Sequence, residues 1–160
     1  FWYIPVVRGY FPDSKAIGEA IAADLAKVGI NVNLHTEDWG AYLEDRLQGK
    51  FPMWMLGWGS DNGDPDNFLG YHFNQTPGEV RTEDCYVNDE LAQLLIDGRT
   101  VADSAERETI YQQAEQIVHD DVARIPVVWA TTPVVFRNNV KGYVPVVFRS
   151  WYEYIWIDSN

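Results

Sequence analysis

An α/β sheet is predicted by three features of this 160-residue chain. Apolar runs at strand spacing occur at residues 1–7, at residues 30–35 and again from Met53. Two stretches of helical period separate those runs. Each helical stretch is preceded by a side chain able to cap it and followed by glycine. Strand, helix, strand, helix, strand in that order favours an α/β layer with crossover connections.

Taken in order, residues 1–7 read as a strand, with Pro5 confining it to an edge or a bulge. Arg8 stands at its end, and Gly9-Tyr10-Phe11-Pro12 reads as a turn. Asp13 or Ser14 can cap a helix that runs to about Val28, with Ile17, Ile21, Leu25 and Val28 on one face and Gly29 as its stop. Ile30, Val32 and Leu34 alternate with polar residues, which is strand spacing. Asp38 caps a second helix from Trp39 to Gln48, closed by Gly49. From Leu69 to Tyr86 the composition turns to Gly, Asn, Gln, Thr and Pro, so this segment is expected as a long surface loop. Asn88 caps a helix to about Asp97, with Leu91, Leu94 and Leu95 inward. Asp103 and Glu106 resemble a capping box, and Ile110, Ala114, Ile117 and Val118 form the stripe of the helix that follows. Residues 125–129 and 134–137 are expected as strands, Asn138-Asn139 as a turn, and residues 144–157 as an extended, aromatic tail.

Acidic residues outnumber basic ones by 24 to 12, giving a net charge of −12, which opposes nucleic acid and anionic membranes as partners. Seven Trp, nine Tyr and seven Phe are too many for one small core, so some are expected to line a cleft or an interface. The single Cys85 excludes an internal disulfide and a cysteine-based zinc site. The chain opens inside an apolar run, as expected of a cut through a longer protein.

The stretch Met53-Trp54-Met55-Leu56-Gly57-Trp58-Gly59-Ser60-Asp61-Asn62-Gly63-Asp64-Pro65-Asp66-Asn67-Phe68 is the candidate site. It starts as a buried strand and breaks into turn-forming residues, which places side chains at the carboxyl edge of a sheet, where open α/β folds bind ligands. Trp58 offers an apolar face and an indole donor, and Asp61 a fixed negative charge, a pairing suited to a small ligand with a positive group. The alternative is a tight loop whose aspartates bond only their own backbone. Arg8 could fork onto a carboxylate, or pair with one of the many acids on the surface. Asp61, Asp64 and Asp66 lack calcium-loop spacing, since Gly63 and Pro65 stand where ligands are needed. Asp64 and Asp66 could form a glycosidase acid pair. His35, His72 and His119 show no metal-ligand spacing, and no nucleophile elbow, phosphate loop or dinucleotide fingerprint occurs. A binder is therefore favoured over an enzyme, with no cofactor.

Several motifs, in order and spacing, resemble the dipeptide- and oligopeptide-binding proteins of bacterial ABC importers, the extracellular solute-binding protein family 5. They are Val7-Arg8-Gly9-Tyr10-Phe11-Pro12-Asp13, Ala22-Ala23-Asp24-Leu25-Ala26-Lys27-Val28-Gly29-Ile30, Trp39-Gly40-Ala41-Tyr42-Leu43 and the run from Gly57 to Phe68. Ile125-Pro126-Val127-Val128 and Asn139-Val140-Lys141-Gly142-Tyr143-Val144-Pro145 fit as well. The resemblance implies a single lobe of a type II periplasmic-binding-protein-like fold, a mixed sheet flanked by helices. Residues 1–130 would be the carboxyl-terminal ligand-binding lobe, and residues 131–160 a tail that returns to the first lobe.

By the same resemblance, Asp61 would hold a peptide's amino group and Arg8 its carboxylate, with Trp58, Gly59 and Ser60 beside them. The parent would sit in the periplasm or at the outer face of the membrane and pass its peptide to the membrane subunits of an importer. Haem, a nickel complex or an oligosaccharide are the alternative ligands. Some relatives carry a disulfide ending at the position of Cys85; Asn74 and Gln75 occupy its partner region here, so Cys85 is expected as a free thiol. Gly9 stands where relatives often carry proline, which is expected to loosen the turn holding Arg8. A homo-oligomer of the isolated chain is a further expected partner.

Overall fold

The structure is a computed structural model that describes residues 1–81, 83–131, 133–144 and 152–159. Its order is helix α1 (Ser14–Lys27), α2 (Trp39–Leu47), a 3-10 turn (Pro65–Asn67), α3 (Leu69–Phe73), α4 (Asp89–Thr100), α5 (Ser104–Asp120), strand β1 (Val140–Lys141), a second 3-10 turn (Tyr152–Tyr154) and β2 (Trp156–Ile157).

In the first half the segments expected as strands, 1–7, 30–35 and from Met53, form no strand and meet at isolated bridges between the helices. Trp2 pairs in parallel with His35 on one side and with Trp54 on the other. Trp2 donates its N–H to the Met53 carbonyl at 2.8 Å, and Met55 donates back to the Trp2 carbonyl at 3.1 Å; Tyr3 and His35 make the equivalent bonds on the other side, each 2.9 Å. The first segment therefore lies between the second and the third. α1 is capped by Asp13, whose Oδ1 accepts from Ala16 N–H at 2.9 Å, and α2 by Asp38, which accepts from Gly40 N–H at 2.9 Å. Each such cap is worth about 1 kcal/mol. Gly29 closes α1 at φ +85°, a conformation that side chains other than glycine's rarely tolerate.

Packing joins these pieces. Ile4, Phe11, Tyr42, Phe51 and Met55 form one buried cluster. Fully burying a side chain such as Ile4 contributes about 1.5–3 kcal/mol. Tyr42, also fully buried, donates its hydroxyl toward the Met55 carbonyl at 2.7 Å, with the Trp2 carbonyl at 3.2 Å, so α2 clamps the first and third segments together. Burial raises the pKa of that phenol above its ordinary value. The Ser14 hydroxyl donates to the Ile4 carbonyl and ties the start of α1 to the sheet.

The second half is helical. Leu69, Phe73, Leu91, Leu95, Tyr111 and Ala114 form a separate cluster between α3, α4 and α5. Asn88 caps α4 by accepting from Leu91 N–H at 2.9 Å, and Asp103 caps α5 through Ala105 and Glu106. β1 and β2 make a two-residue antiparallel ladder, Val140 opposite Ile157 and Lys141 opposite Trp156.

Four further expectations change. Residues 69–86 are not a surface loop throughout: α3 sits inside them, with Leu69 and Phe73 in the core and Glu83 buried. Residues 125–129 and 134–137 carry no strand; their side chains are largely exposed, and β-rich composition forms a ladder only where a neighbour supplies one. Val28 faces solvent while Ile17, Ile21 and Leu25 are half-buried, because Val28 is the cap residue just past the end of α1. The tail is extended only at β2, with a helical turn before it; Pro145 and Trp151 lie outside the described residues.

Candidate functional site

The first segment pairs in parallel with both the second and the third, so the carboxyl ends of the first and third lie side by side. Open α/β folds take their ligands beyond the carboxyl ends of such parallel segments. Arg8 stands beyond one of those ends, and Trp58 to Asp61 beyond the other.

Two backbone bonds build the Arg8 corner. Arg8 N–H donates to the Phe11 carbonyl at 3.2 Å and Phe11 N–H to the Arg8 carbonyl at 3.0 Å, so the turn through Gly9 and Tyr10 is closed at both ends. The loosening expected from Gly9 is not seen. The Arg8 guanidinium lies 5.1 Å over the Trp39 ring, and Nη1 donates to the Val7 carbonyl at 3.4 Å. Tyr10 then reaches across to the other corner and covers Gly57; a Cβ at Gly57 would collide with that ring. Glycine at residue 57 is what allows the two loops to meet.

The acidic loop is wound on its own polar groups. The Ser60 hydroxyl accepts from Gly63 N–H at 2.7 Å, Asn62 Oδ1 from Asp64 N–H at 3.0 Å, and Asp64 Oδ1 from Asp66 N–H at 2.8 Å. Ser60 thus closes a turn, and Gly59 is exposed with open space about its Cα. Asp61 differs from its neighbours. It is exposed, its N–H donates to Asn67 Oδ1 at 3.0 Å, and its Oδ2 accepts from Asn67 Nδ2 at 3.3 Å. Trp58 Nε1 donates to the same Asn67 Oδ1 at 3.0 Å. Its ring stacks on Tyr71, centroids 3.9 Å apart and 19° between planes, with His72 edge-on at 5.6 Å. Asn67 and Tyr71 are the site residues to which sequence reasoning gave no role.

Asp64 and Asp66 are engaged elsewhere. Arg107 donates to Asp64 Oδ1 at 2.7 Å, and Arg99 to Asp66 Oδ1 at 2.9 Å, where the Tyr111 hydroxyl also donates at 3.2 Å. The Arg107 hydrogen bond holds the Asp64 carboxyl below the ordinary carboxylate range. A glycosidase acid needs its pKa raised, so this geometry opposes the acid-pair alternative. The three histidines stay apart. His35 stacks on Trp2 and His119 contacts Asp120. Burial, then the charges of Arg124, Arg46 and Arg81, bring His72 down to about 3, so it is neutral at physiological pH. Among the described residues no group of three or more His, Cys, Asp or Glu could hold a metal ion. Cys85 is a free, exposed thiol, and Gln75 is buried with its Nε2 donating to the Asn88 carbonyl at 2.8 Å.

Comparison with known proteins gives the family. Residues 2–79 match the family model described as bacterial extracellular solute-binding proteins, family 5 Middle. The dipeptide-binding protein of Escherichia coli is 36% identical over 146 residues, covering 89% of this chain and 27% of that protein. The heme-binding protein A of Haemophilus influenzae is 34% identical over 148 residues, covering 92% of this chain and 27% of that protein. The chain thus spans about a quarter of the length of these relatives. Among solved structures, the periplasmic binding protein DppA of Helicobacter pylori, associated with an ABC transporter and in complex with the peptide STSA, superposes with a TM-score of 0.70 at 33% identity, covering 91% of this chain and 30% of that one. On these likenesses the chain belongs to the bacterial extracellular solute-binding proteins of family 5.

Proposed function

We propose that this chain is the ligand-binding lobe of an importer's solute-binding protein, and that the ligand is a dipeptide or short oligopeptide. Residues 1–130 form the lobe, and residues 131–160 form a tail that returns to the first lobe. Asp61 receives the peptide's ammonium, Arg8 its carboxylate, and Trp58, Gly59 and Ser60 line the space between. The protein captures and delivers; it does not catalyse. It works outside the cytoplasmic membrane, handing its peptide to the importer's membrane subunits, and no described helix is long and apolar enough to cross a membrane.

The observation that carries this reading is a pair of opposite charges beyond the ends of adjacent parallel segments. Arg8 and the exposed Asp61 carboxylate lie beyond the ends of adjacent parallel segments, joined by Tyr10 packed on Gly57. A zwitterion fits such a pair, and lobe closure would strengthen both contacts by excluding water. The peptide named for the Helicobacter pylori structure lends further support. Heme-binding protein A makes haem the second ligand to test.

Asp61→Asn in the full-length protein is expected to weaken dipeptide binding by about 2–4 kcal/mol, because it strips the partner from a buried ammonium. Calorimetry showing unchanged affinity would remove Asp61 from the site. Saturable haem binding together with no dipeptide binding would replace the ligand.

A further inference from the structure

Asn67 touches both Trp58 and Asp61, and we infer that it is the positioning residue that orients them toward the ligand's ammonium. Its Oδ1 accepts from Trp58 Nε1 and from Asp61 N–H, both at 3.0 Å. Two N–H donors converge on that atom, so it must be the amide oxygen, and the amide nitrogen has to face the other way. That nitrogen lies 3.3 Å from Asp61 Oδ2. One side chain therefore fixes the direction of the indole, the backbone at Asp61 and the rotation of its carboxylate.

Asn67 is itself held. It closes the 3-10 turn Pro65–Asn67, its N–H donating to the Asp64 carbonyl at 3.0 Å, and Asp64 and Asp66 on that turn are gripped by Arg107 and Arg99. The chain of contacts runs from α4 and α5, through the acidic turn and Asn67, to Asp61. Asp64 and Asp66 anchor that chain through Arg107 and Arg99. A carboxylate fixed before the ligand arrives loses less rotational freedom on binding, which raises affinity without a new contact. This role rests on the peptide reading above.

The test uses the full-length protein with alanyl-phenylalanine and its N-acetylated form, measured by calorimetry from pH 5 to 7, where the free amine stays protonated. Asn67→Ala is expected to lose roughly tenfold to a hundredfold in affinity for the free dipeptide, and to discriminate poorly against the acetylated one. Asn67→Asp keeps the size and the oxygen that accepts both N–H groups but sets a second carboxylate against Asp61. One of two such neighbours holds its proton above the ordinary carboxylate range, so negative charge at the site grows as pH rises. Affinity of that variant for the free dipeptide should climb with pH across this range, while the parent protein stays flat. That profile reads the closeness of residue 67 to the carboxylate that takes the ammonium, and it can be read even if the alanine variant fails to fold; the lost discrimination of Asn67→Ala is what a merely structural role would not produce. If both variants keep the parent's affinity, discrimination and flat profile while Asp61→Asn loses discrimination, Asn67 has no positioning role although the peptide reading stands. If Asp61→Asn also leaves discrimination unchanged, the peptide reading fails and the role of Asn67 fails with it.

Discussion

A guanidinium stacked on an aromatic face keeps its plane fixed while its N–H groups remain free to donate. Arg8 has that arrangement over Trp39, with one hydrogen bond, to the Val7 carbonyl, made by its side chain among the described residues. Lysine would keep the charge and lose the two-pronged geometry. In the full-length protein, Arg8→Lys is expected to lose about tenfold in affinity for dipeptides with a free carboxylate and little for carboxyl-amidated ones. Calorimetry with both ligands checks this, and equal losses would take Arg8 out of the site. Arg8, Trp58 and Asp61 were legible because they stand in ordered motifs at the ends of apolar runs. Asn67 and Tyr71 were not. Asn67 acts across six residues of irregular loop and Tyr71 across thirteen, to Trp58, and no periodicity encodes a contact through such backbone.

At the scale of elements, a buried ion cluster joins the two halves. Glu83 Oε2 accepts from Arg46 Nη1 of α2 at 2.6 Å; its Oε1 accepts from Arg124 Nη2, beyond α5, at 2.8 Å, and from Arg81 of its own loop. Arg46 and Arg124 also lie over the Trp54 ring, each 5.0 Å from its centroid, and Trp54 belongs to the third sheet segment. The side chains of Arg46 and Glu83 are only 3% and 7% exposed, so water cannot replace a lost partner. Glu83→Gln should therefore destabilise the fold by about 3–5 kcal/mol, leaving buried guanidinium charge uncompensated. Denaturant unfolding measures it, and a change under about 1 kcal/mol would mean the cluster opens to solvent. Nothing in the sequence announced this cluster, because its members come from four separated segments. The helices α1, α2, α4 and α5 were legible because Asp13, Asp38, Asn88 and Asp103 cap them, whereas α3 has no side-chain cap and lies inside a polar stretch.

For the molecule as a whole, the two buried clusters end before residue 125, and most apolar groups among the described residues beyond them are exposed. Trp129 is 85% exposed and Val135 93%, and Tyr152, Trp156 and Ile157 are exposed as well. Monomeric proteins rarely leave contiguous apolar surface of more than a few hundred Å² uncovered. The β1–β2 ladder is two residues long, and a two-stranded hairpin is marginal by itself. Its outer edges keep backbone groups able to pair with another chain. On the function proposed above, the first lobe covers this surface in the full-length protein. For the isolated chain the available cover is a second copy, and identical chains most often meet as a symmetric pair. The isolated chain is therefore expected to self-associate at micromolar concentration, and removal of residues 144–160 to change its oligomeric state, because that deletion takes β2 away and frees β1. Light scattering on both forms decides the matter. A monomer with and without the tail would show that the exposed apolar groups are too dispersed to form an interface, and that the tail needs the first lobe specifically.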